Sequence, residues 1–319
     1  MLDAHQLNVF LVAAETLNFT KTAKRLHMTQ PSVSQHIQAL EKHFGTPLFA
    51  RNGRHLDLTD AGQTLVPQAR EMVRASIRIE ETMESLKGEV YGHLMVGCST
   101  TPGKYVLPHL LARFHENYPE VRVTCNVTSQ DNAIQMLCDG NVHIALTSTS
   151  HDFCKGAEFR KFLCDSLVLI APLNHPWAER GVIEPHELYE EKYIMREEES
   201  GTLQAVAQGL REGNIDFHSF KTFLTLGNSE AIALSVQEGL GVGFVSKMVV
   251  DKLCENRVGI VDIDGFNLCR DIYIARQPSL PASAALTAFW EFISTFDYPY
   301  EMSQNSIFAT DRIPIAPPV

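Results

Sequence analysis

Near residue 90 the spacing of apolar residues changes character, and no single core satisfies both patterns. Before that point apolar side chains recur every three or four residues, the period of helices. After it, short apolar runs alternate with amphipathic stretches, the rhythm of β-α-β units. A chain of 319 residues is also long for one core. The expected fold class is therefore α+β multidomain, with a helical N-terminal part and a larger α/β part.

In the helical part, Leu7, Phe10, Leu11 and Ala14 share one face of a first helix. Thr20 is expected to cap a second helix over residues 21–26, where small Ala23 lets another helix cross closely. Thr29 can cap a third, with Pro31 in the first turn, where a missing N–H costs nothing, and Gly45 at the C-cap. Val33, Ile37, Leu40 and Phe44 make its apolar stripe. Ser34, Gln35, Gln38 and Lys42 make its polar face, and short hydroxyl or amide ends suit contact with base edges. The second and third helices, joined by a short turn at His27-Met28, form a helix-turn-helix candidate. Asn52-Gly53 then signals a tight hairpin, a wing whose Arg51 and Arg54 sit near phosphates.

Residues 60–88 are expected to form one long helix, with Pro67 early in it. Leu65, Ala69, Met72, Ser76, Ile79, Met83 and Leu86 step by four and three, a heptad seam suited to a dimer. Such a dimer supplies the two-fold symmetry that helix-turn-helix proteins use; packing within the same domain is the alternative.

The α/β part shows strands at residues 94–98, 121–127 and 143–147 and helices near 105–118 and 133–139. Strands at 167–171, 193–195, 222–226 and 242–245 follow, with helices from 202 and over 230–238. A return strand at 272–275 and a helix near 282–296 close the pattern. It predicts two α/β lobes, mostly parallel, with a cleft between them. The expected division is a DNA-binding domain at 1–60, a linker helix at 61–90 and a cleft-forming domain at 91–300. Lobe 1 would take 91–165 and 269–300, lobe 2 166–268, and 301–319 reads as a disordered tail.

The formal net charge of −11 is unevenly placed: residues 1–90 carry 10 basic and 10 acidic residues, so all of the excess lies beyond them. The bulk of the chain is thus unsuited to non-specific nucleic-acid binding. No run of about 18 apolar residues occurs, and the first residues do not read as a signal peptide, so a cytoplasmic protein is expected. Seven cysteines lack any C-x-x-C pair. They are expected to be reduced and mostly buried, with spacing unsuited to zinc.

The stretch Phe19-Thr20-x-x-Ala23-x-x-Leu26-x-x-Thr29-Gln30-Pro31-Ser32-Val33-Ser34-x-x-Ile37-x-x-Leu40-Glu41, continued by Gly45-x-Pro47-Leu48-Phe49-x-Arg51 and Leu58-Thr59-x-Ala61-Gly62, resembles the LysR-type transcriptional regulators. The resemblance covers about residues 1–300. It implies a winged helix-turn-helix, a dimerising linker helix and a two-lobed effector domain like periplasmic binding proteins. By it, Gln30, Pro31, Ser34 and Gln35 approach bases, and Lys21, Ser32, Gln38, Arg51, Arg54 and Thr59 hold phosphates. Many members carry Arg where this chain has Ala50 or Gln35, so a different base preference is expected. The implied partners are double-stranded promoter DNA with an interrupted palindrome, a small metabolite effector, a second copy of the chain (with a tetramer as the common assembly) and RNA polymerase.

Hydroxyls cluster where strands give way to helices, at Ser99-Thr100-Thr101, Thr128-Ser129, Thr147-Ser148-Thr149, Ser200-Gly201-Thr202 and Asn228-Ser229. Ligands in open α/β sheets bind beyond the carboxyl ends of strands, and helix N-termini there favour anions. Each hydroxyl alone is also an ordinary helix cap. The resemblance carries effector contact to Thr100, Thr101, Ser129, Thr147, Thr202 and Asn228. Lys104 and Arg196 are candidate counter-charges, with a solvated surface role as the plainer expectation. The segments at 228–232 and 239–245 resemble the branch regulating carbon fixation and sulfur or nitrogen assimilation, which implies an organic acid, a phosphorylated metabolite or an oxyanion.

No resident cofactor or metal is expected. An enzyme is disfavoured, since no G-x-S-x-G, P-loop, G-x-G-x-x-G or H-E-x-x-H occurs. Thiol sensing of the kind one branch of the family uses is disfavoured too, because residues 165–253 contain no Cys.

Overall fold

The computed structural model describes residues 1–52, 55–149 and 155–296. The chain divides into two compact units, Met1–Gly92 and His93–Val319, each built around its own core. The expected disordered tail at 301–319 lies outside the described residues.

The first unit begins with α1 (Ala4–Thr16), α2 (Phe19–Arg25) and α3 (Gln30–Phe44). Asn18, not Thr20, caps α2: its Oδ1 accepts from the N–H groups of both Thr20 and Lys21. The helix starts two residues earlier than expected because an Asx side chain ahead of the hydroxyl already satisfies two orphan donors. His27, in the turn, holds a positive φ of 53°, and Thr29 and Pro31 open α3 as expected. Gly45 ends it at φ 66°, donating to Glu41 O. Val33, Ile37 and Leu40 join Leu7, Val9, Phe10 and Ala13 in the core. Phe44 does not, remaining 39 % exposed one turn beyond the crossing of α1. The wing follows as β1 (Phe49–Asn52) paired antiparallel with β2 (His55–Leu58). Glu41 Oε1 accepts from Leu48 N and Phe49 N, which ties α3 to the base of the wing.

Helix α4 (Asp60–Ser85) is capped by Thr59 and runs on through Pro67. The heptad seam divides along it. Ala69 is fully buried, and Leu65 packs on the same core beneath α1. Met72, Ile79, Met83 and Leu86 are exposed, Ile79 at 64 % and Leu86 at 74 %. The first heptad therefore serves its own domain, and the rest of the seam has no partner within the described residues.

The second unit has lobe 1 strands β3 (Gly92–Ser99), β4 (Val121–Thr128) and β5 (Ile144–Thr147), with helices α5 (Leu107–Asn117) and α6 (Gln130–Cys138). Then comes β6 (Glu158–Pro172), a 15-residue strand where the sequence suggested only five. The second lobe follows with α7 (Pro176–Arg180), β7 (Val182–Ile183), β8 (Lys192–Arg196), α8 (Gly201–Glu212), β9 (Lys221–Leu226), α9 (Ser229–Gln237), β10 (Val242–Ser246), α10 (Lys247–Val249) and β11 (Val258–Ile263). Strand β12 (Cys269–Arg276) returns to lobe 1, and α11 (Ala284–Thr295) closes it.

Long β6 belongs to both lobes. Its first half, Glu158 to Ser166, pairs with β12, and its second half pairs with β10 and β11. These pairings and β12–β5 are antiparallel, whereas β3–β5, β8–β9, β8–β10 and β7–β11 are parallel. The expectation of a mostly parallel sheet is thus corrected to a mixed one: a strand shared by two lobes, met by a returning strand, forces antiparallel neighbours. Stacked Tyr193, Phe220 and Phe244 fill one face of lobe 2. Each buried aromatic of this kind stabilises by about 2–3 kcal/mol through burial alone.

Candidate functional site

The expected site residues fall on two surfaces, one on each unit. On the first unit the polar face of α3 is open. Gln30, Pro31, Gln35 and Gln38 are exposed, and Ser32 and Ser34 are half-buried. Gln30 Nε2 donates to Ser34 Oγ at 2.8 Å, so two base-contact candidates already hold each other in position. Lys21 is exposed at the start of α2. Thr59 is occupied: its hydroxyl donates to Pro47 O and accepts from Gly62 N. Arg51 lies on β1, and Arg54 lies outside the described residues.

On the second unit a cavity of about 460 Å³ opens between the two lobes. Every strand end that faces it contributes. Ser99 ends β3 and Thr100 and Thr101 follow it, Thr128 ends β4 with Ser129 to Asp131 after it, and Ser148 follows β5. From lobe 2 come Arg196 at the end of β8 and Glu197 after it, Glu199 to Gly201 at the start of α8, and Gly227 after β9. Arg270, on the return strand, completes the wall. This is the crevice outside the carboxyl ends of the strands, where open α/β sheets place ligands.

Three of the six expected effector residues, Thr100, Thr101 and Ser129, line the cavity. Thr147, Thr202 and Asn228 are not among its lining residues. Thr147 is fully buried and donates to Thr149 O. Thr202 Oγ1 accepts from Arg270. Asn228 Oδ1 caps α9 by accepting from Ala231 N at 2.7 Å. Each of these polar groups is already engaged by another group of the protein.

Arg196 is not the solvated residue expected of it. It is 8 % exposed, donates through Nε and an Nη to Glu197 at 2.7 and 2.6 Å, and reaches Ser229 Oγ at 3.1 Å. Burial pushes against the charged Glu197 carboxylate, but the Arg196 hydrogen bonds outweigh it and hold its pKa below the ordinary value. Arg270 is a second buried guanidinium, 2.7 Å from Asp165 and 2.7 Å from Thr202 Oγ1; Asp165 also accepts from Ser246. Arg270 was not among the residues expected at the site, because in sequence it is one of two Arg on the return strand and nothing local separates it from Arg276. One hydroxyl, Ser99 Oγ, is buried in the cavity wall with no partner. Ser200, at the mouth of α8, makes no side-chain cap bond.

The lobes are clasped across the cavity. Lys104 Nζ and Tyr105 OH of lobe 1 both reach Glu230 of lobe 2, at 2.6 and 2.7 Å. Gln130 donates to Gln204 Oε1 at 3.0 Å and accepts from Ser148. The approach at α8 is so close that a Cβ on Gly201 would overlap Ser148 Oγ.

Comparison with known proteins follows the same division. Residues 4–63 match the family described as bacterial regulatory helix-turn-helix protein, lysR family, and residues 87–296 match the LysR substrate binding domain. The chain is 32 % identical to the RuBisCO operon transcriptional regulator of Allochromatium vinosum, over 92 % of this chain and 95 % of that protein. Its fold is similar to that of full-length CbnR complexed with its target DNA, with a TM-score of 0.66 and 21 % identity over 92 % of this chain and 99 % of that one. It is also similar to the CcmR regulatory domain of Synechocystis PCC6803 in complex with 2-PG, with a TM-score of 0.57 and 28 % identity over 63 % of this chain and 95 % of that one. No helix among the described residues is long and apolar enough to cross a membrane.

Proposed function

The chain belongs to the LysR family of DNA-binding transcriptional regulators with an effector-binding domain, and from that premise we propose how it reads DNA and what it senses. Base edges meet the exposed face of α3 through Gln30, Pro31, Ser34 and Gln35. Lys21, Ser32, Gln38, Arg51, Arg54 and Thr59 lie along the phosphates. Two copies join through the exposed apolar stretch of α4, centred on Ile79 and Met83, and so meet an interrupted palindrome with matching symmetry. A pair of such dimers makes the tetramer, and RNA polymerase is the further partner at the promoter. No turnover is assigned to the cleft.

The effector is a small hydroxylated anion, a carboxylate or a phosphorylated metabolite. The observation that carries this is the cavity wall itself: hydroxyls at three strand ends, an unpartnered buried Ser99 Oγ, and the guanidinium of Arg196. Glu197 already balances Arg196. The ligand's charge therefore rests mainly on hydroxyls and on the N–H groups at the starts of α6 and α8. The 2-PG complex of the CcmR domain supports the same class.

The test is a fluorescence-anisotropy titration on DNA upstream of the gene, at two salt concentrations, with and without a panel of anionic metabolites. Binding should be tight, sequence-dependent and weakened by salt, and one metabolite should shift it. Equal affinity for scrambled DNA would sink the DNA reading. A flat response to every anion, with a response to a cation or an apolar molecule, would sink the effector class.

A further inference from the structure

Chain crossing between the lobes occurs twice, at Ser166-Leu167 of β6 and at Leu268-Cys269 entering β12, and Leu167 N donates to Leu268 O at 2.8 Å between them. On the lobe 1 side of this hinge lie two cysteines, 105 residues apart in sequence. Cys269 stands opposite Ser166, and Asp271 opposite Cys164. The two thiols are thus diagonal neighbours on one face of the ladder. Their Cα atoms are 6.1 Å apart and their sulfurs are joined, within the span a disulfide bridges without backbone movement. This corrects the expectation of reduced thiols throughout: Cys98 and Cys254 are free and buried and Cys125 free and exposed, but Cys164 and Cys269 are paired, because the return strand brings together residues that sequence spacing keeps apart.

We propose that Cys164 and Cys269 form a reversible redox modification site, a dithiol that a hydroperoxide oxidises to a disulfide across the hinge. Regulators of DNA work where thiols are kept reduced, so a disulfide there is a transient, responsive one. Access is available, since Cys269 lines a second cavity, of about 420 Å³, with Gln204, Asp271 and Tyr273. In the first step one thiolate attacks a peroxide oxygen. The O–O bond breaks, a sulfenic acid forms, and water (or an alcohol) leaves. The second thiol then attacks that sulfur; the S–O bond breaks, the S–S bond forms and a second water leaves. Two electrons pass from the sulfurs to the peroxide, and a small thiol reverses the step by exchange.

The consequence lies one residue away. Asp165 and Arg270, adjacent in sequence to the two cysteines, form the buried ion pair whose guanidinium lines the effector cavity. Closing the disulfide fixes the rung beside that pair, and opening it frees the hinge. This coupling rests on the proposed effector role of the cavity; the thiol chemistry does not.

The test uses the full chain, reduced under inert gas and then treated with stoichiometric hydrogen peroxide. Remaining thiols are blocked with N-ethylmaleimide and the peptides mapped by mass spectrometry. The expected product is a Cys164–Cys269 linked peptide pair that dithiothreitol reopens without denaturant. Three results would each overturn the site: both cysteines still alkylated after peroxide, a link confined to Cys98 and Cys125 (whose sulfurs lie 3.1 Å apart), or a divalent metal retained by Cys164, Cys269 and Asp271. Operator binding is then compared between the two forms. A shift of about five-fold or more, absent in Cys164→Ser and in Cys269→Ser, is expected. A link without any shift overturns the coupling. The mapping uses wild-type protein, so it reads the site even if a variant fails to fold or the operator is wrong.

Discussion

At the scale of single residues, Arg196 and Gln35 each make a separable prediction. Arg196 is buried, wedged between the Glu197 carboxylate and Ser229 Oγ. Arg196→Ala removes a cation from the cavity wall and leaves Glu197 unpaired there. An anionic effector should then lose about ten-fold or more in affinity by isothermal titration calorimetry, while DNA binding without effector stays near wild type. Retained affinity would remove Arg196 from the anion site and leave the charge to the hydroxyls and helix N-termini alone. On α3, Gln35 is exposed with its amide free to meet a base. Gln35→Ala should relax discrimination at one operator position, which is worth roughly 1–3 kcal/mol for a good contact. Arg51→Ala should instead weaken all sequences alike and flatten the salt slope. Equal behaviour of the two variants over a panel of mutated operators would refute the division. The hydroxyls were only half legible at this scale. Thr101 and Thr202 look alike in sequence, yet one lines the cavity and the other accepts from Arg270.

At the scale of elements, α4 is buried over its first turns and exposed over its later ones. Its first turns complete the core of the N-terminal unit through Leu65 and Ala69. Its later turns expose Ile79 and Met83 on one side, with Leu86 just beyond them, an apolar face of the kind that marks an interaction site. Ile79→Glu should turn the assembled protein into monomers in analytical ultracentrifugation at micromolar concentration, with the thermal unfolding of the N-terminal unit unchanged. If assembly persists, the dimer lies elsewhere. The sequence displayed the heptad spacing but not its division, because spacing records which residues share a face and not what covers that face.

For the whole effector domain, the clasp and the carboxylates predict behaviour that no single strand carries. Lys104 and Tyr105 hold Glu230 across the cavity. Glu230→Gln keeps the shape, removes the ion pair, and should raise the rate of effector release in stopped-flow fluorescence. Gly201→Ala places a methyl against Ser148 and should prevent the lobes from closing, with weaker effector binding as the sign. The Lys104 hydrogen bond holds Glu230 below its ordinary value of 4.5. Glu158 is held below it as well: burial opposes this, and hydrogen bonds from Arg276 and Arg160 overcome it. Lowered folded pKa values stabilise the fold above the unfolded value, and that contribution is lost as pH falls through the lower folded ones. Thermal melts should therefore show a steady midpoint near neutrality and a decline below pH 4.5. Replacing Glu158 by Gln should flatten the decline. A midpoint insensitive to acid would remove these carboxylates from the account.

The order of elements, the helix-turn-helix with its wing and the strand ends facing a cleft were legible from the sequence, because helix caps, apolar period and turn chemistry are local. Thr29, Pro31 and Gly45 fix the limits of α3 by themselves. What only the tertiary structure decided depends on contacts between residues far apart in the chain. The length of β6 and its antiparallel neighbours follow from one strand serving two lobes. Arg270 reaches the cavity, and Cys269 reaches Cys164, only because the return strand lies against β6. Local propensity sets which segments become strands; burial and pairing across the fold set which side chains meet.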